Sequence, residues 1–339
     1  MKNQINFKQV SQAESNELKK IITNYGIKEA LNNNSCFDEK LINLNFLNNI
    51  KTKATSGEQQ FTQSKNNENP QWVVGLKESG IDFLLIIWLS ENYFYNMETG
   101  NISKINSFLI NTSEYDKTIV KGTLCSKSRE AAKRSEINQD PTELCYFVVE
   151  QALIFKSKSL INMSYHDRYS PLFQLKYNKS QDHGICLVIN TLYDVKYIQH
   201  LMKEIEVPFL TLGLKFINPS ALNVEANRAS DLPIFIWKRS HEITVNFKIK
   251  ANENSTEFLL LNCKKPTQTI HSNNKTSTNK NIMYNEKIVK CVYYDNQWIP
   301  VEAIDTQTVN SQTQFKNIMS FIKENITLEN IYEATQPIS

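Results

Sequence analysis

The chain has 339 residues, 40% hydrophobic and 10% aromatic, which is enough for two domains with real cores and too apolar for a disordered chain. Its net charge of +3 and pI near 8.3 permit contact with RNA or nucleotides without arguing for it, because dedicated nucleic-acid binders carry a far more basic face. The longest apolar run, Ile81 to Leu89, is broken by Asp82 and too short to span a bilayer, and the opening stretch MKNQINFKQVSQAESNELKK holds no apolar core resembling a signal peptide, so no membrane partner is expected.

In chain order, residues 8–56 place Leu18, Ile21, Ile22, Tyr25 and Ile27 at helical spacing between Asn-rich turns, which predicts helices. Residues 52–70 are polar and end in Pro, a loop or linker. From Gln71 the texture changes to short β-rich runs: WVVGLKESGIDFLLIIWL, NYFYN, TIVKGTL, LCYFVVEQALIF, GICLVIN, FLTLGLKFI, TVNFKIK and TEFLLLNCK. Helices are predicted at 193–205 and 314–325, and a polar loop at 264–281. The fold class expected is α+β: a helical segment over 1–60 packing on the next domain, a mixed-sheet domain over 61–240, and a smaller β domain with a terminal helix over 241–339. Six cysteines without CxxC spacing predict reduced, buried thiols in a nuclear or cytosolic protein.

The most informative stretch is the last: KIVKCVYYDNQWIPVEAIDTQTVNSQTQFKNIMSFIKENITLENI. It resembles the end of an mRNA capping enzyme, the guanylyltransferase that joins GMP to the 5′ end of RNA. In that family a strand reading KIVEC leads to a Trp, then a basic Arg-x-Arg-x-x-Asp-Lys segment, then a closing helix. Lys287, Ile288, Val289, Cys291, Trp298, Ser320, Ile322, Asn325, Ile326 and Thr327 keep that frame, while Glu302, Ile304, Thr306 and Gln307 stand where charged phosphate binders belong.

The resemblance extends back to about residue 70. QWVVGLKESGIDFLLIIW is similar to the element whose Lys attacks the α-phosphate of GTP and becomes a Lys–GMP phosphoramidate. It implies Lys77 as the nucleophile position and Gly80 as a nucleotide-binding position, with Ser79 and Asp82 replacing an Asp and an Arg, and Asn96-Met97 replacing Asp-Arg. TIVKGTL keeps Gly122 but has Lys121 and Thr123 for two acids. CYFVVEQALIF implies Glu150 as nucleotide-binding, and Arg168-Tyr169 match outright. VPFLTLGLKFINP keeps Gly213 and Pro219 but has Leu212 in place of a metal-binding acid. LPIFIWKRSHEITVNFKIK keeps Lys238 after Trp237, a nucleotide-binding Lys in the family, with Ile236 in place of the other. Lysines 156 and 158 with Arg168 read as a solvated strand end rather than a basic binding edge.

Neither a Gly-rich phosphate loop nor HExxH or GxSxG is present, and the five histidines lack metal-ligand spacing. With Ser79, Thr123 and Leu212 at acidic positions no metal site is expected, and no cofactor; magnesium or manganese with GTP enters only if the protein is active. The resemblance implies a nucleotidyltransferase domain followed by an oligonucleotide/oligosaccharide-binding (OB) β-barrel. It implies a nuclear protein (cytoplasm being the alternative) whose partners are other capping or transcription subunits and the RNA 5′ end. The favoured expectation is a non-catalytic or weakly active subunit with eroded motifs. The alternatives are an active guanylyltransferase working through Lys77–GMP on diphosphate-ended RNA, and an unrelated α+β binding module.

Overall fold

The computed structural model describes residues 7–27, 39–54, 72–105, 113–127, 145–176, 185–220, 234–239, 242–251, 255–260, 263, 265–271, 283–304 and 309–336. It is mixed α+β and mostly sheet, in two units: residues 1–40, 50–236 and 335–339, and residues 41–49 and 237–334.

The strands up to the unit boundary are β1 (Phe7–Gln9), β2 (Glu39–Leu41), β3 (Val73–Glu78), β4 (Gly80–Trp88), β5 (Glu91–Asn96), β6 (Ile102–Ile105), β7 (Thr118–Cys125), β8 (Cys145–Phe155), β9 (Lys158–Ser159), β10 (Ile185–Ile189), β11 (Tyr193–Asp194), β12 (Thr211–Ile217) and β13 (Ile234–Lys238). They form one sheet in the order β1-β6-β5-β4-β7-β8-β10, with β9 on β8, and another in the order β11-β3-β12-β13-β2. The first sheet is antiparallel except where β10 lies parallel to β8. Two-residue turns at Leu89-Ser90 and Lys156-Ser157 have positive φ at both positions, the backbone twist that suits tight hairpins.

Runs such as FLLIIW and FVVEQALI are almost continuously apolar because both faces of β4 and β8 are covered. One face packs Phe83, Leu85, Phe94, Val120, Phe147 and Val149 together. On the other, Leu84, Ile86, Tyr93 and Leu153 meet Leu18, Ile21 and Ile22 of α1 (Gln12–Asn24). That helix starts at Ser11, whose side chain accepts from the Glu14 backbone N–H, and the Tyr93 hydroxyl donates to the Glu14 carboxylate at 2.7 Å. The N-terminal segment also supplies β1 and β2 beside α1 and α2 (Leu44–Ala54), so helical spacing alone missed its strands. The predicted linker beyond Ala54 lies outside the described residues.

Two short helices follow in the first unit, α3 (Tyr165–Tyr169) and α4 (Ile198–Lys203). The long helix expected over 193–205 is instead β11, a 3-10 turn and α4; Asp194 caps the turn by accepting from the Lys196 N–H and breaks the segment.

The second unit holds β14 (Thr244–Ala251), β15 (Ser255–Leu259), β16 (Gln268–His271), β17 (Ile288–Tyr294) and β18 (Gln297–Ala303), all antiparallel in the order β16-β15-β14-β17-β18. Among the described residues the sheet is open, with no pairing of β16 to β18 that would close a barrel. Its strands alternate: Val245, Phe247 and Ile249 are buried between half-exposed neighbours, the mark of a sheet with one covered face. That face carries Val289, Cys291 and Trp298 and packs on α5 (Gln312–Glu324), which is followed by α6 (Leu328–Thr335). Strand β16 falls inside the predicted 264–281 loop; residues 272–282 lie outside the described residues. Among the described residues no helix is long and apolar enough to cross a membrane.

Candidate functional site

Sequence and register bring a set of charged side chains inward from facing sheets. Lys77 and Glu78 end β3 and Lys215 sits on β12, which pairs with it; Lys121 and Thr123 lie on β7, Asp82 on β4 and Glu150 on β8. Lys77 is 6% exposed, and Glu78, Lys121, Glu150 and Lys215 are buried more completely still.

Glu150 is the hub. Its Oε2 accepts from Lys121 Nζ at 3.0 Å and its Oε1 from Lys215 Nζ at 2.6 Å, with the Thr123 hydroxyl oxygen 3.4 Å from Oε1. Burial alone would raise its pKa, but Lys121, Lys215 and Lys77 outweigh it and hold the carboxyl well below the usual range. Glu78 Oε2 lies 3.0 Å from Lys215 Nζ, off the hydrogen-bonding direction, and 3.9 Å from Lys77 Nζ; its Oε1 accepts from the Asn190 amide. Here burial wins over Lys215, with Glu150 adding to it, and the Glu78 pKa is raised. Asp82, half-exposed, accepts from Thr123 Oγ1 at 2.7 Å and stands 3.9 Å from Lys121 Nζ. Three lysines therefore face three carboxylates.

A pair at about 3 Å gains about 5 kcal/mol of gross attraction at an effective dielectric of about 20, while desolvation costs several kcal/mol per ion. The cluster is thus near balance as a whole and costly to break in part. Burial, then Glu78, pushes the neighbouring Cys125 thiol up and disfavours its thiolate, and its Sγ contacts the Thr123 carbonyl at 3.6 Å. Among the described residues Cys186, Cys263 and Cys291 form no disulfide either.

Gly80 and Gly122 have packing reasons to be glycine. A Cβ on Gly80 would stand 2.1 Å from the Leu124 carbonyl oxygen, and one on Gly122 2.6 Å from that of Val148. Arg168 is buried, so it takes no part in a basic edge with Lys156 and Lys158; its Nη1 donates to the carbonyls of Ile161 and Met163. Tyr165 and Tyr169 donate to the backbone carbonyls of Glu150 and Asn190 at 3.1 and 2.7 Å, steadying the strands behind the cluster. Asn96 turns the chain by accepting from the N–H groups of Glu98 and Thr99, and Leu212 falls at a β-bulge.

Lys238 ends β13 and belongs to the second unit, where it lines a cavity of about 250 Å³ with Trp237, Arg239, Phe321, Asn325 and Thr327. The buried Trp237 indole N–H donates to the Ile326 carbonyl at 2.8 Å. Of the C-terminal frame, Val289, Cys291, Trp298 and Ile326 are core, whereas Glu302 pairs with Lys290 at 3.4 Å on the surface. Thr306 and Gln307 lie outside the described residues.

Sequence reasoning singled out Lys77, Lys121, Thr123 and Glu150 but missed Glu78, Lys215 and Asn190. Lys215 did leave a signal, a charge inside the apolar run LGLKFI, which a doubly covered strand tolerates only with a partner.

These residues do not fit a divalent metal. Both Glu150 oxygens accept from buried ammonium groups, and among the described residues no three His, Cys, Asp or Glu gather to hold an ion.

No protein-family model matches the sequence, and no curated protein matches it. Among solved structures, a mycobacterial DNA ligase D complexed with ATP and MES overlaps with TM-score 0.37 at 10% identity, covering 69% of this chain and 90% of that one. A Lig E DNA ligase overlaps with TM-score 0.34 at 12% identity over 73% and 100%, and the Chlorella virus DNA ligase-adenylate with 0.28 at 9% over 71% and 96%. Overlaps this loose decide neither the fold nor the activity of this chain.

Proposed function

We propose that this chain is an mRNA capping enzyme-like protein of nucleotidyltransferase fold that has kept the scaffold and given up turnover. It serves as a non-catalytic subunit of a nuclear RNA capping or transcription complex. The observation that carries this reading is the state of Lys77. The residue that would carry GMP ends a buried strand, 3.9 Å from Glu78, in a cluster whose carboxylates already pair with Lys121 and Lys215. Nucleotidyl transfer needs cations arranged around the phosphates, each worth about 2–4 kcal/mol of transition-state stabilisation, in terms that do not simply add. Here the cations near Lys77 are turned onto internal acids. The residues behind the resemblance point the same way: Val289, Cys291, Trp298 and Ile326 are packing residues, and Glu302 reverses the charge expected of a phosphate binder.

The test is covalent labelling. The purified protein is mixed with α-phosphate-labelled GTP and magnesium or manganese and run on a denaturing gel beside Lys77→Ala and an active guanylyltransferase. No band is expected from this chain while the active enzyme labels. A band that Lys77→Ala abolishes would establish a Lys–GMP intermediate and replace this reading with the active enzyme, whose acceptor is the RNA 5′ end.

A further inference from the structure

We propose that Lys121 is a built-in counter-ion standing in place of a divalent metal, so that the cluster around Glu150 holds itself together without metal and takes none up. The sequence has a base at 121 where the capping resemblance has an acid, and the structure aims that base at an acid: Lys121 Nζ lies 3.0 Å from Glu150 Oε2 and 3.9 Å from Asp82 Oδ2. The other oxygen of each carboxylate is also engaged, Glu150 Oε1 by Lys215 at 2.6 Å and Asp82 Oδ1 by Thr123 at 2.7 Å.

Magnesium needs oxygens at about 2.0–2.1 Å in near-octahedral array. These carboxylate oxygens instead face ammonium and hydroxyl groups, the close contacts lying at 2.6–3.0 Å. An incoming ion would have to displace a lysine that is 2% exposed while standing beside Lys215, a second buried positive charge. One residue therefore sets the sign of the site. Exchange of Lys121 for an acid leaves Asp82, Glu150 and the new carboxylate facing one another, an arrangement that demands a cation.

The experiment is a manganese titration of the full chain by electron paramagnetic resonance, with thermal melts in EDTA and in excess manganese, on the wild type, Lys121→Asp and Lys121→Met. The wild type is expected to leave the free-manganese signal undiminished and to melt at the same temperature in both conditions. Lys121→Asp is expected to melt lower in EDTA, to recover by about 5 °C or more in manganese, and to quench the free signal; Lys121→Met melts lower without that recovery. Manganese uptake by the wild type that Glu150→Gln removes would overturn the proposal, as would a folded Lys121→Asp indifferent to manganese. If Lys121→Asp does not fold, the wild-type titration still decides. The proposal rests on the cluster's geometry and not on loss of turnover: labelling of Lys77 in EDTA would refute the reading above and leave this one standing, and wild-type manganese binding would do the reverse.

Discussion

Glu78 and Glu150 are both fully buried among the same lysines, yet their pKa values move in opposite directions. Glu150 has two ammonium groups within 3.0 Å and stays ionised, so its contribution to stability is present above its ordinary value of 4.5 and is lost only as the pH falls well below it. For Glu78 burial prevails, and the sign reverses. From 4.5 up to its raised value the folded state holds a proton that the unfolded state has released, so stability falls as pH rises through that window. Glu78→Gln, which keeps an oxygen for Asn190 and cannot ionise, is expected to flatten that fall. Urea midpoints measured from pH 4.5 to neutrality on both proteins check it; equal slopes would mean that Glu78 is not the group responsible.

Among the elements, α5 shows how local chemistry places a boundary. The apolar period predicted a helix over 314–325, and the observed Gln312–Glu324 begins two residues earlier because Ser311 and Gln314 form a capping box. The Ser311 hydroxyl accepts from the Gln314 N–H at 3.2 Å, and the Gln314 side chain accepts from the Ser311 N–H at 2.8 Å. At the other end Asn325 adopts the left-handed conformation, φ 45°, that stops the helix. Ser311→Ala is expected to cost about 1 kcal/mol, and Asn325→Gly to be neutral or slightly stabilising, since glycine enters that region without a Cβ penalty. Denaturant unfolding of both variants is the check, and a loss in Asn325→Gly would show that its side chain matters more than its backbone. Strands were legible for a similar reason. Runs such as FLLIIW and TVNFKIK were legible as strands, and the structure shows the first covered on both faces and the second on one, whereas the 193–205 segment misled because Asp194 competes locally for the backbone.

At the scale of the molecule, what the sequence concealed is long-range pairing. Lys121, Glu150 and Lys215 each stand out as charges inside apolar runs, but Glu150 meets Lys121 across 29 residues and Lys215 across 65, separations that no local pattern reports. Only the facing of two sheets makes one network of them, and that has an energetic consequence. Lys215→Met leaves Glu150 and Glu78 each short of an ammonium, and Glu150→Leu leaves two buried lysines without their shared acid, so each single change is expected to cost about 3–5 kcal/mol. The double variant removes one charge of each sign. Lys121 then keeps Asp82 at 3.9 Å and Lys77 keeps Glu78 at 3.9 Å, so its cost is expected to stay near that of the worse single change rather than the sum. Urea unfolding of the four proteins closes the cycle. Simple additivity would mean that Lys215 and Glu150 do not stabilise one another, and the picture of one charged cluster shared between the sheets would have to be given up.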